Sequence, residues 1–188
     1  MHVGTHFFAG WMVGVAPDLG ARERALIALA GVAPDLDGLG LVVETVTADS
    51  PHPLPWYSLY HHVLGHNLGF ALLVTLASFV LARRRAARTA TLAFASFHLH
   101  LLFDLAGSRG TDGEQWPIPY LLPFSQGLQL TWSGQWTLGA WQNTLLTSVL
   151  LVATVWAAWR FGRSPLALVS ARADEAVVRA LRGRFGYP

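Results

Sequence analysis

Residues 89–106 read TATLAFASFHLHLLFDLA, an apolar run interrupted by His98, His100 and Asp104. It is nearly long enough to cross a bilayer, which takes ~20 apolar residues in a helix. Imidazoles and carboxylates are costly in such surroundings unless they are paired or hold a metal. His100 and Asp104 stand at i and i+4 and share one helix face. His98 points nearly the opposite way and reads as structural. On this segment alone, a hydrogen-bonded His–Asp pair tightening a helix bundle fits as well as a metal site does.

Working outward, the pattern repeats. The basic turn Arg83-Arg84-Arg85-Ala86-Ala87-Arg88 precedes the run, and a helix from about Leu59 to Leu81, capped by Ser58, precedes the turn. Further upstream come apolar segments 5–16, broken by Pro17, and 21–33, ended by Pro34. Residues 38–57, with Pro51, Pro53 and Pro55, read as loop. Downstream, 107–140 is rich in Gly, Pro and aromatics. Within it, Leu128–Trp132 and Gln135–Leu138 alternate around Ser133-Gly134 as a hairpin would. A nearly unbroken apolar helix follows at 141–159. Ser164-Pro165 then opens an amphipathic helix to about Arg182, with Arg172, Arg179 and Arg182 on its wet side.

Composition agrees with a membrane location. Of 188 residues, 53% are hydrophobic and 13% charged, with mean hydropathy +0.39. A soluble domain carries about 25% charged residues. There is no cysteine, which excludes thiolate ligands and disulfides. The first residues lack a basic stretch, so no cleavable signal peptide is expected. The pI of 9.5 comes from arginines that flank apolar segments, without the basic face that nucleic acid requires.

The expected fold is all-α: a polytopic helical membrane protein with about four to five embedded helices, a loop and β-hairpin insertion and a C-terminal amphipathic helix. Residues 1–163 would form the membrane-embedded metal-site domain and 164–188 a cytoplasmic tail. Arginine-rich turns favour the cytoplasmic side. With the 83–88 turn inside, an alternating path leaves Arg109 as the one arginine outside. The same path brings all eight histidines to the outer half and puts the C-terminus in the cytoplasm.

That path also gathers His6, Asp35, Asp37, His61, His66, His100 and Asp104 at one face as candidate metal ligands. Asp35 and Asp37 lie on the turn Pro34-Asp35-Leu36-Asp37-Gly38, whose bland reading is a solvated Asx turn. His62 and His66, four apart, would share a helix face, the bland reading being an interfacial histidine cluster. Mixed His and Asp sets suit Zn(II), Mn(II) or Fe(II), with zinc the first expectation. So many ligands exceed the four of one zinc and point to two or more ions. Asp18 reads as a turn residue, and His2 and His52 as solvated. Asp112 and Glu114 read as loop solvation or as an outer-face base. Trp116, Tyr120, Trp132, Trp136 and Trp141 read as an interfacial belt.

Taken together, Thr5-His6, Pro34-Asp35-Leu36-Asp37, His61 with His66, and His100 with Asp104 followed by Gly110 and Trp116-Pro117 resemble the YdjM-like family of membrane-bound metal-dependent hydrolases. The likeness covers roughly residues 1–125. It implies a polytopic inner-membrane protein whose site residues are His6, Asp35, Asp37, His61, His66, His100 and Asp104. The family pattern has an arginine directly after the first histidine of the pair, where this chain has His62. That arginine's role either falls vacant or passes to Arg109, and His62 becomes an additional candidate ligand. The resemblance implies a hydrolytic metal site; the first reading of the chain is hydrolysis of an ester or phosphoester, with Asp35 or Asp37 as general base. Membrane lipids are the expected surroundings, a small or lipid-linked molecule the substrate, and nucleic acid no partner. The rival reading is a non-catalytic metal-binding or transport protein.

Overall fold

The computed structural model describes residues 1–15, 18–110 and 113–188. The break expected at Pro17, and Asp112, lie outside the described residues. The chain is helical in the order α1 (Val3–Gly14), α2 (Ala21–Ala30), a 3-10 helix (Ala33–Leu39), α3 (Gly40–Thr47), α4 (Trp56–Tyr60), α5 (Leu68–Leu81), α6 (Ala86–Gly107), α7 (Trp141–Phe161), a second 3-10 helix (Pro165–Leu168) and α8 (Ala171–Phe185). Among the described residues, α6 and α7 are long and apolar enough to cross a membrane. Ala21–Ala30 and Ala33–Thr47, bent by 55°, make a third candidate if the pair counts as one span. The larger number expected from the sequence relies on α1 and α5, both shorter than a span.

Helix α6 is the centre. It packs on α1, α2 and α5, while α7 covers the other side of α1. Small residues permit the close approach of α1, α2 and α6. A Cβ on Gly10 would lie 2.7 Å from Ser96 Oγ and 2.9 Å from Ala28 O, and one on Gly31 would lie 2.7 Å from the same Ser96 oxygen. Beside this seam, Ala71, Phe97, Leu101 and Ile118 form an apolar cluster joining α5, α6 and the long loop. Helix α7 is clasped to the end of α6. Asn143 Nδ2 donates to Gly107 O at 2.9 Å, and Thr147 Oγ1 meets Thr5 Oγ1 at 2.6 Å.

Several elements differ from the expectation. The helix expected from Leu59 is interrupted: α4 ends at Tyr60 and α5 starts at Leu68. Ser58 does not cap it, because its N–H and Oγ are both bonded to Glu44. Asn67 is the cap, accepting from Phe70 N at 2.9 Å while its Nδ2 donates to Val63 O and Leu64 O. Residues 38–57 are partly helical, in α3 and the start of α4.

The expected hairpin keeps its turn at Ser133-Gly134, but its arms pair outward. Leu130 exchanges both backbone bonds with Ile118, and Arg109 N donates to Trp136 O at 3.1 Å. Neither contact extends into a ladder, so no strand forms among the described residues. Finally, Ser164 caps only the short Pro165–Leu168 turn, and α8 starts after Ser170. Arg182 is docked rather than wet, its Nε donating to Trp159 O at 3.1 Å.

The two ends of the bundle differ in chemistry. At one end arginines meet acids and carbonyls. Arg22 Nε donates to Leu81 O at 2.6 Å, and Glu23 Oε1 accepts from Arg83 N and Arg84 N at 3.0 and 3.1 Å. Asp18 pairs with Arg85 and Arg88, as befits a turn residue. At the other end lie the histidines and the aspartates of the sequence pattern.

Candidate metal centre

The site grows from α6. The i, i+4 spacing puts His100 and Asp104 on one face, where His100 Nε2 lies 3.0 Å from Asp104 Oδ2. Both side chains are buried. His100 Nδ1 donates to Gly31 O at 2.8 Å, a carbonyl offered by the turn after α2. His6, one turn into α1, stacks on the His100 ring with centroids 3.6 Å apart. Its Nε2 is 3.2 Å from Asp104 Oδ1, an oxygen that also accepts from Ser108 Oγ and the Met1 amino group. Asp35 Oδ1 approaches His100 Nε2 at 3.8 Å.

The loop 61–67 supplies the rest. Asp37 holds it, accepting from Gly65 N at 2.9 Å, His61 Nδ1 at 2.8 Å and His66 Nδ1 at 3.1 Å. His66 Nε2 is thereby turned inward, 3.1 Å from His100 Nε2 and 3.2 Å from Asp104 Oδ2. His62 stacks on His66, centroids 4.2 Å apart, and reaches this position with φ of 66°. A left-handed backbone at a non-glycine residue is strained by about 1–3 kcal/mol and persists where its surroundings demand it.

Two groups of donor atoms result. His6, Asp35, His100 and Asp104 offer one set, and His62, His66 and Asp104 the other. Within each set the ligand atoms lie within 4.8 Å of one another. Asp104 belongs to both. Asp37 and His61 belong to neither, since the Asp37 oxygens are turned to the Nδ1 atoms of His61 and His66. His62, only an additional candidate in the sequence, is included. The helix face expected to be shared by His62 and His66 is absent because both lie in the loop.

The donor chemistry fits a metal. A carbonyl and a carboxylate only accept, so Nδ1 of both His100 and His66 carries the proton. When neutral, both Nε2 atoms are therefore lone pairs, aimed at each other and at Asp104 Oδ2. Such a set is repulsive unless a proton or a cation lies among it. Without a metal, a proton serves. Burial opposes a charge on His66, but hydrogen bonds to Asp104 and Asp37 outweigh it and raise its pKa to about 9. Burial, with His66 beside it, holds His62 well below the usual imidazole range. Both nitrogens of His6, Asp35 Oδ2 and His62 Nδ1 are buried without a hydrogen-bond partner. Orphans of this kind call for an unseen partner.

Above the cluster lies a cavity of about 520 Å³, walled by Leu39, Tyr57, Trp116, Leu138 and Arg109 among others. Tyr57 stacks on His61 with centroids 4.5 Å apart, and Trp116 stands edge-on to His62 at 4.8 Å. Nothing in the local sequence marked Tyr57 or Ser108. The expected aromatic belt is partly turned inward. Tyr120 Oη bonds His98 Nε2 at 2.9 Å and Trp136 Nε1 donates to Asn143, whereas Trp132 and Trp141 are exposed. His98 Nδ1 also meets Phe94 O, so His98 is held away from the cluster. His2 and His52 are exposed.

Fold and site together define a helical membrane protein with a buried His/Asp cluster able to hold metal. A family model described as YdjM inner membrane protein matches residues 1–174, and the chain belongs to that family. No curated protein and no solved structure matches it.

Proposed function

We propose that the chain is a membrane-bound metal-dependent hydrolase of an ester or phosphoester, holding two ions that share Asp104. The observation that carries this reading is the convergence of three acceptors, His66 Nε2, His100 Nε2 and Asp104 Oδ2, within 3.2 Å of one another. His6, Asp35, His100 and Asp104 would hold one ion, and His62, His66 and Asp104 the other. The mixed imidazole and carboxylate set favours zinc before manganese or iron. A divalent ion bound there supplies Lewis acidity to the scissile group and to water.

The chain's own residues do the remainder. Asp37, expected from the sequence as ligand or base, is assigned here to fixing the tautomer of His66 and the pose of His61. Asp35 lines the cavity; its Oδ1 faces His100, and its buried Oδ2, which has no hydrogen-bond partner, would be the general base, taking up the proton that water loses. We favour hydrolysis over transport because Glu23 and Asp18, at the far end, are already bonded to Arg83 and Arg84 and to Arg85 and Arg88. A transport path would need free ligands there.

The test is metal content together with turnover. Detergent-purified protein, prepared without chelator, should carry zinc or take it up, and should hydrolyse bis(p-nitrophenyl) phosphate or p-nitrophenyl acetate. Asp104→Ala should lose both properties. A protein that takes up neither zinc nor manganese ends the reading. Full loading without turnover of either ester class supports the metal-binding rival.

A further inference from the structure

Below the cavity the structure carries apolar hollows that bond cleavage does not itself require. A groove of about 340 Å³ opens between α2 and α5, walled by Leu26, Leu29, Val32, Leu36 and Val74. A second, of about 230 Å³, lies between the Ala33–Leu39 turn with α3 and the α4 region, walled by Leu36, Leu39, Val43, Trp56 and Leu64. Leu36 lines both grooves, and Leu39 lines the second groove and the cavity over the cluster. The three hollows therefore follow one another along the Ala33–Leu39 turn. The 55° bend between α2 and Ala33–Thr47 accompanies the opening.

The far wall of the cavity has the opposite chemistry. Among the described residues, Arg109 is the only arginine lining it. Its Nη2 donates to Ser133 O at 2.7 Å, which fixes the guanidinium, while its buried Nε has no hydrogen-bond partner. Placed arginine donors match phosphate and carboxylate oxygens. Leu29, Leu36 and Leu39 on the rims of the grooves are each more than half exposed. Open apolar rims suit lipid rather than water.

We propose that the cavity and the two grooves take one amphiphile, an acyl or alkyl chain bearing an anionic headgroup. The headgroup lies between the His/Asp cluster and Arg109. The chain leaves past Leu39 and Leu36 toward the groove between α2 and α5. What happens to the headgroup rests on the hydrolytic reading; where the molecule sits does not. Charge complementarity at Arg109 and the shared lining residues commit the occupant to a lipid of this class, entering from the side.

The probe is hexadecyl phosphate with a diazirine in its chain, added to the zinc-loaded full chain in nanodiscs, with adducts mapped by mass spectrometry. Adducts should concentrate on residues 26–39, 56–64 and 74–78. Unlabelled hexadecyl phosphate should compete, and inorganic or butyl phosphate should compete at least tenfold less well. Leu36→Trp, which fills both grooves, and Arg109→Gln should each lower these adducts at least tenfold; metal stoichiometry reports whether each variant keeps its cluster. Adducts spread over the exposed faces of α5 and α7, indifferent to both substitutions, would overturn the proposal. So would equal competition by butyl phosphate, which would place a soluble anion in the site. Localised adducts without ester turnover would uphold the lipid site and sink the hydrolytic reading. Turnover with scattered adducts would do the reverse.

Discussion

Asp104 is the residue through which both halves of the cluster communicate. One oxygen faces the Met1 amino group, His6 and Ser108, and the other faces His66 and His100. Asp104→Ala should therefore abolish binding of both ions, whereas His6→Ala and His62→Ala should each remove one. Plasma-emission stoichiometry on monodisperse protein distinguishes these outcomes. His98→Ala should leave metal content intact, because its nitrogens are bonded to Phe94 and Tyr120. Equal metal loss in the His98 and His100 variants would mean that the helix face is misassigned.

Asp37→Asn should weaken metal binding by about 10- to 100-fold, the usual effect of removing a carboxylate that orients a ligating histidine. His66 gives a pH signature. Its folded pKa of about 9 lies above the ordinary imidazole value of 6.5, so in metal-free protein it stabilises the fold fully below pH ~6.5. That contribution fades as pH rises through about 9. Metal must displace the same proton, so affinity should rise over the same interval. Thermal melts of stripped and loaded protein should diverge with increasing pH, and zinc titration should release protons. Parallel pH profiles would remove His66 from the ligand set.

At the scale of elements, what could be seen in the sequence was what a single period encodes. The pairing of His100 with Asp104, and the opposite orientation of His98, follow from helix geometry alone. The long apolar runs of α6 and α7 were equally plain. The 61–67 loop was not legible, because what holds it is the Asp37 carboxylate, more than twenty residues upstream in the chain. Apolar periodicity runs on through Tyr60 and Leu64, while the tertiary bonds of Asp37 and the cap at Asn67 break the helix. The arms around Ser133-Gly134 misled for the same reason: their partners, Ile118 and Arg109, come from the preceding loop.

Asn67→Ala should cost about 1 kcal/mol as a lost cap. It should also loosen His66, so metal affinity should fall along with stability. A stability loss without any change in affinity would show that Asp37 alone holds the loop. Gly10→Val would push a side chain onto Ser96 and Ala28. Overpacking of this kind costs ~1–3 kcal/mol. Because α1 carries His6, the melt should shift together with metal content.

For the whole molecule, we propose that the separation of the arginines, Arg109 excepted, from the histidine cluster orients the chain in the membrane. Reporter fusions at Pro188 and within 113–140 should report opposite sides, with the C-terminal fusion cytoplasmic. A cytoplasmic signal from the long loop would invert the arrangement and place the cluster at the inner face.

The clasp of α7 has a consequence for biosynthesis. Every proposed ligand precedes α7, so the full donor set emerges from the ribosome while the helix that ties Thr5 and Gly107 is still unmade. The nascent chain thus carries every candidate ligand before the helix that fastens α1 to the end of α6 exists, and the arrival of α7 ties together two helices that already bear His6, His100 and Asp104.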